Sequence, residues 1–158
     1  MAYGFVKLGM ALSGGAAMAM AAPVSATGSQ TFGTRCSMCH QPSGAGLPGQ
    51  FPRLNGRVAQ IATTPDGRQY LAMVLLYGIY GPITVDGKPI TGLMPGMGTL
   101  SDQDIADVLN HAVSLKKAAK PAPAFTAAEI AKVRGGGKKT ASQVAAERAR
   151  LVGLKLIP

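Results

Sequence analysis

Cys36-Ser37-Met38-Cys39-His40 is the cluster in this chain whose residue types and spacing could do chemistry without help from elsewhere. Two thiols one helical turn apart can reach both vinyl groups on one edge of a porphyrin. The residue that follows can then turn its imidazole under the iron. C-x-x-C-H is the attachment signature of a covalent haem c, with Cys36 and Cys39 as anchors and His40 as the proximal iron ligand. Covalent attachment also suits a protein too small to enclose the ring fully.

Three other origins for the motif compete. A thiol–disulfide pair belongs next to a βαβ pattern, which does not surround it here. Half a zinc site needs partners, and His40 and His111 do not complete a usual ligand set. Chance is opposed by the adjacent histidine, by an export-like leader and by the lack of other cysteines. With only two cysteines, no disulfide framework is available.

A sixth iron ligand has to come from elsewhere in the chain. Four methionines follow the leader: Met38, Met73, Met94 and Met97. Met38 lies inside the attachment loop and cannot cross the ring. Met73 sits in an apolar run and reads as core. Met94 and Met97 lie in a Gly/Pro-rich stretch, Gly92 to Gly98, which reads as a loop able to approach the iron from the face opposite His40. Met94 is favoured because Pro95 biases it to extended backbone; Met97 is the alternative. His111 is the rival that would give two histidine ligands, although a lone histidine beside an apolar stripe more often packs or faces solvent.

The elements that position these groups are mostly helical. Gly28 to Met38 reads as a short helix leading into the cysteines, and Gln41 to Gly56 as a loop. Tyr70 to Tyr77 reads as a buried helix ending at Gly78, with Gly81-Pro82 as a break. Ile83-Thr84-Val85 and Lys88-Pro89-Ile90 flank Asp86-Gly87 as a small hairpin. Ser101 with Asp104, and Leu100 with Ile105, mark the start of a helix running to about Lys117. Its apolar stripe is Ile105, Val108, Leu109, Ala112 and Val113.

The first 26 residues read as a cleaved signal peptide, with cleavage after Ala26 or, second, Ala22. The apolar run from Leu8 to Ala22 is shorter than the roughly 20 residues a membrane span needs, and no other stretch qualifies. Residues 27–117 then form the haem domain, 118–124 a Pro/Ala-rich linker and 125–158 a basic helical extension. Two similar segments in that extension, Thr126 to Arg134 and Thr140 to Arg148, each open with a capping-box pattern. Neither carries an apolar face large enough to fold alone, so each must dock on something or stay mobile. From Thr27 to Leu115 five basic residues balance five acids; from Lys116 onward ten basic residues face two acids. For an exported chain that excess suits an acidic protein or membrane surface better than nucleic acid.

The pattern resembles the class I c-type cytochromes from about Gly28 to Leu115. The matching residues are Gly28-x-x-x-Phe32-x-x-x-Cys36, Cys39-His40, Pro52-Arg53-Leu54-Asn55-Gly56, Met94-Pro95 and Leu100-Ser101-Asp102-x-Asp104-Ile105-Ala106-x-Val108-Leu109. The resemblance implies an all-α domain of three to four helices around one haem, with a small hairpin. It implies that Met94 is the distal ligand and that the Pro52 carbonyl accepts a hydrogen bond from the other nitrogen of His40. It also implies that Gly28 and Phe32 let the first and last core helices cross closely. Two departures stand out: His111 where many relatives carry an aromatic, and the chain beyond Leu115. Gly81 to Gly87 and the tail are similar to cytochrome subunits of periplasmic dehydrogenases. The implied function is one-electron transfer in the periplasm rather than enzyme catalysis, with a dehydrogenase as electron donor and a downstream acceptor. A free shuttle to a terminal oxidase is one alternative, and a ligand-binding haem sensor with a labile sixth position is another. Arg53 and Arg57 are plausible propionate contacts.

Overall fold

The computed structural model describes Met1 and residues 26–158. The leader and its cleavage site therefore lie, apart from these two end residues, outside the described residues. Helix α1 (Ala26–Arg35) passes through Cys36 into the single turn α2 (Ser37–His40). A loop leads to the short α3 (Arg57–Ile61) and to α4 (Pro65–Tyr77). Strands β1 (Gly78–Val85) and β2 (Lys88–Pro95) form an antiparallel hairpin, followed by α5 (Asp102–Ser114), α6 (Ala127–Gly135) and α7 (Ala141–Gly153). The mostly helical architecture with one hairpin is the expected one. Among the described residues before Leu115 there are three longer helices, α1, α4 and α5, and two one-turn helices, α2 and α3.

Local signals explain the boundaries. Thr64 caps α4 by accepting from the Gly67 N–H, and Pro65 opens the helix at its first position, several residues before the apolar run begins. Ser101 accepts from the Asp104 N–H at the start of α5, as its sequence predicts. Asp86 and Gly87 both take positive φ (50° and 74°), which gives a tight turn matched to the strand twist. The hairpin is longer than Ile83 to Ile90: pairing runs from Val85↔Lys88 out to Gly78↔Pro95. Gly81-Pro82 does not break it, because in a two-stranded sheet every strand is an edge and a proline can face away from its partner.

Helices α1 and α5 cross at Gly28, where an added Cβ would overlap the Asp107 carbonyl on α5. Thr27 Oγ1 donates to Asp107 Oδ2 at 2.9 Å beside it, and Gln103 holds the other carboxylate oxygen. Phe32 is 2% exposed, and its ring meets His111 at 5.0 Å between centroids, tilted by 56°. The histidine thus packs its ring on Phe32 at this crossing. Gly28→Ala should separate the two helices and destabilise the haem-loaded protein by about 1–3 kcal/mol, read as a lower guanidinium unfolding midpoint. An unchanged midpoint would show that the crossing is not tight in solution.

The two tail helices dock on the chain's own core. Helix α6 packs on α5 and α4, and α7 packs on β1 and α4. Ile130, Val144 and Leu151 are fully buried. The way in is fixed by Asn110 on α5, which accepts from the Phe125 N–H (2.7 Å) and donates to the Phe125 carbonyl (3.0 Å). Arg68 on α4 lies 3.9 Å from the Phe125 ring centroid and bonds both oxygens of Glu129. Among the described residues no helix is long and apolar enough to cross a membrane.

Candidate haem site

The attachment motif is folded by main-chain bonds. The Cys36 N–H continues α1 by donating to Phe32 O at 2.9 Å, and the Cys39 and His40 N–H groups both return to Cys36 O. Gln41 then adopts φ 63° and ends the turn. The loop that follows closes on itself. Gly46 N–H donates to His40 O, and Leu47 and Phe51 exchange N–H···O bonds at 2.8 Å. Gly46 is needed there: at φ 66° it sits where a Cβ would come 2.5 Å from Phe51 O and 2.7 Å from Pro52 O. This folding aims the Pro52 carbonyl at His40, whose Nδ1 lies 2.9 Å away. A carbonyl can only accept, so Nδ1 carries the proton and Nε2 keeps a free lone pair for a metal. Burial lowers the His40 pKa, and the Pro52 bond opposes that shift.

Cys36 is buried and Cys39 exposed, and they are not joined to each other. As a free thiol, Cys36 is pushed up to about 11, first by burial and second by Cys39. It offers no ready-made thiolate at neutral pH. Among the described residues no three His, Cys, Asp or Glu side chains converge as a metal site.

Cys36, Cys39 and His40 line one side of a mostly apolar cavity of about 390 Å³. The hairpin lines another. Its pairs Ile79↔Met94, Gly81↔Gly92 and Ile83↔Ile90 all border the cavity. The central pair contributes only backbone to this wall, between branched and thioether side chains. Met97 also borders the cavity. Met94 is therefore in a strand rather than in the loop read over Gly92 to Gly98; only Met97 lies beyond the strand. Gly78 and Gly96 allow this part of the chain to press on the end of α4, with Met97 N–H donating to Leu75 O at 2.6 Å. Arg134 of α6 holds the exit through Gly98 O, Leu100 O and Asp102. Met73 is core and Met38 is 89% exposed. His111 does not border the cavity.

A single-histidine turn bearing two thiols, facing a hairpin wall and two thioethers across an apolar space, fits a flat iron porphyrin held covalently at one edge. The family model for cytochrome c matches residues 25–116, more than half of the sequence. The chain belongs to the cytochrome c family. Its members carry covalent haem c and transfer electrons. Similar proteins include a cytochrome c-552 of Thermus thermophilus (strain ATCC 27634), 44% identical over 147 residues, covering 91% of this chain and 94% of the relative. Another cytochrome c-552 of Thermus thermophilus is 46% identical over 124 residues, covering 77% and 93%. A match of 147 residues cannot fit before Lys117, so the likeness to this cytochrome c extends into the tail.

Several residues of the cavity carry no ligand signature. Arg35, Phe51, Ile79 and Leu93 border it. The alternation Ile79, Gly81, Ile83 was available as a signal, but Gly81-Pro82 masked it. Arg53 and Arg57 do not border this cavity. Arg53 bonds both carboxylate oxygens of Asp86, at 2.8 and 3.0 Å, and the Asn55 carbonyl. Arg57 is buried, with Nη2 on the Pro158 main-chain oxygen at 2.5 Å.

Proposed function

We propose that this chain is an exported one-electron carrier whose haem c, attached through Cys36 and Cys39, is ligated by His40 and Met94. The observation that carries it is the Pro52 carbonyl 2.9 Å from His40 Nδ1, which supports a fixed Nε2 ligand on the attachment side while the methionine-bearing strand borders the same cavity. Bound haem supplies the one-electron couple, and a His/Met pair raises its potential. His40 is held in one tautomer, and Met94 is held by strand pairing, so neither has to move far between oxidation states. The leader pattern supports a periplasmic location.

The mouth of the cavity says what kind of partner surface fits. Among the described residues Arg35 is the only Lys, Arg, Asp or Glu bordering it. Leu93 (64%), Tyr80 (54%) and Met38 (89%) are exposed around the hairpin and attachment turn. A partner docking there buries apolar side chains, and the mouth's own share of the affinity should depend weakly on salt, leaving any salt dependence to the charged tail. A dehydrogenase as electron donor draws on the resemblance of Gly81 to Gly87 and on the outward charge of the tail. The tail's apolar faces are turned inward, and its seven lysines are all exposed.

The test is a reduced-minus-oxidised optical spectrum of the mature protein made with a cytochrome c maturation system. Covalent haem c with a methionine-to-iron charge-transfer band in the ferric state is expected. Covalent haem without that band, or carbon monoxide binding to the native ferrous protein, would favour an open sixth position and a sensor.

A further inference from the structure

The hairpin that carries Met94 has little holding its second strand. Strand β2 packs chiefly on β1, and β1 in turn is backed by α7. One end of the hairpin is fixed because Gly78 follows α4 directly and Gly96 presses on it. The other end is the Asp86-Gly87 turn. Its carboxylate is taken by Arg53 in a two-pronged pair, Nε to Oδ2 at 2.8 Å and Nη2 to Oδ1 at 3.0 Å. Arg53 directly follows Pro52, the residue whose carbonyl holds His40. Among the described residues this pair is the only hydrogen-bonded link between the loop 41–56 and the hairpin.

A second, smaller cavity of about 220 Å³ lies along that seam. The loop contributes Pro48, Phe51 and Arg53 to it, and the hairpin Val85, Asp86 and Ile90. Phe51, Pro52 and Ile90 border both this cavity and the large one. The two walls are thus separated by space, not by packed side chains, and the ion pair spans them. Arg57 backs the pair from below, 3.8 Å from Asp86 Oδ1, and is itself fixed to the Pro158 main-chain oxygen, to which Arg148 also donates. Arg148 reaches on to Thr84 O in β1 at 3.0 Å.

We infer that the Arg53–Asp86 pair is a clasp that couples the histidine-side loop to the methionine-bearing hairpin and keeps Met94 seated. Both residues are positioning residues: neither lines the large cavity, and neither is a candidate ligand. The clasp presupposes ligation by Met94. Opening it frees the hairpin turn to swing and lets an outside ligand compete for the iron. Charge alone is a small contribution, since the two side chains are 37% and 47% exposed. The two-pronged geometry, bridging an unfilled seam, is what makes the pair matter locally.

The experiment is stopped-flow displacement of the distal ligand by imidazole in the ferric haem-loaded protein, read on the charge-transfer band. Asp86→Asn keeps a residue tolerant of the turn's positive φ, and Arg53→Gln keeps much of the side-chain length. Each should speed displacement about three- to fivefold, the effect of losing one half-exposed pair. The double variant should be no faster than either single one, since one interaction is being removed. The far-UV circular dichroism melt should move little, which separates local opening from general destabilisation. Unchanged rates in both single variants, or effects that multiply in the double variant, would overturn the clasp while the band itself still supports methionine ligation. A wild-type protein without the band overturns the ligation and the clasp together.

Discussion

Met94→Ala should abolish the methionine-to-iron band of the ferric protein and lower the reduction potential by on the order of tenths of a volt, within the roughly 0.8 V that axial ligands span. Met97→Ala should keep both. A neutral thioether favours the ferrous iron relative to water or hydroxide, so its loss favours the ferric state. The two methionines differ in how they are held. Met94 is the register partner of Ile79, on the hairpin pairs that border the cavity. Met97 follows the strand, its N–H tied back to Leu75. Potentiometric titration of both variants decides between them. Loss of the band in Met97→Ala alone would move the ligand three residues along the chain and leave the rest of the site standing.

The second large effect concerns folding. A Cys36→Ser/Cys39→Ser protein produced without haem should show no cooperative thermal transition. The cavity of about 390 Å³, at about 24 cal/mol per Å³ of unfilled volume, corresponds to about 9 kcal/mol. That is an upper figure because water can enter the mouth, but it is comparable to the whole stability of a typical domain, about 5–15 kcal/mol. The sequence contains four phenylalanines, four tyrosines and no tryptophan, so few large side chains could close the gap. Near-UV circular dichroism during a melt checks this. A sharp transition with native-like signal would mean that side chains alone build the core.

Much of this site is legible in the sequence because it depends on short-range chemistry. The Ser101 and Thr140 caps and the Asp-Gly turn each act over four or five residues, and each is found as read; the C-x-x-C-H run folds as one helical turn. The cap at Thr126 is found only by half. Thr126 accepts from the Glu129 N–H, but the Glu129 carboxylate is drawn away to Arg68, 61 residues earlier. Such competition cannot be seen in a four-residue window. The tail's docking was hidden for a similar reason. Helix α7 buries Val144 and Leu151, seven residues apart, together with the guanidinium of Arg148 between them. Two apolar residues make a poor stripe, and an arginine suggests solvent. The hairpin's length was hidden by Gly81-Pro82, whose meaning depends on the sheet having no third strand.

The packing of α7 on β1 also sets an order of events. The strand that backs the methionine wall lies in the middle of the chain, and the helix that supports it comes from residues 141–153. During synthesis, the turn Ser37–His40 emerges about a hundred residues before that support exists. Until α7 arrives, β1 lacks its backing, and the hairpin is held only by its junction with α4 and by the Arg53–Asp86 pair. Whatever enters the cavity before then meets one wall without its support. A chain lacking residues 141–153 would keep the methionine-bearing hairpin but lose the helix that backs its first strand.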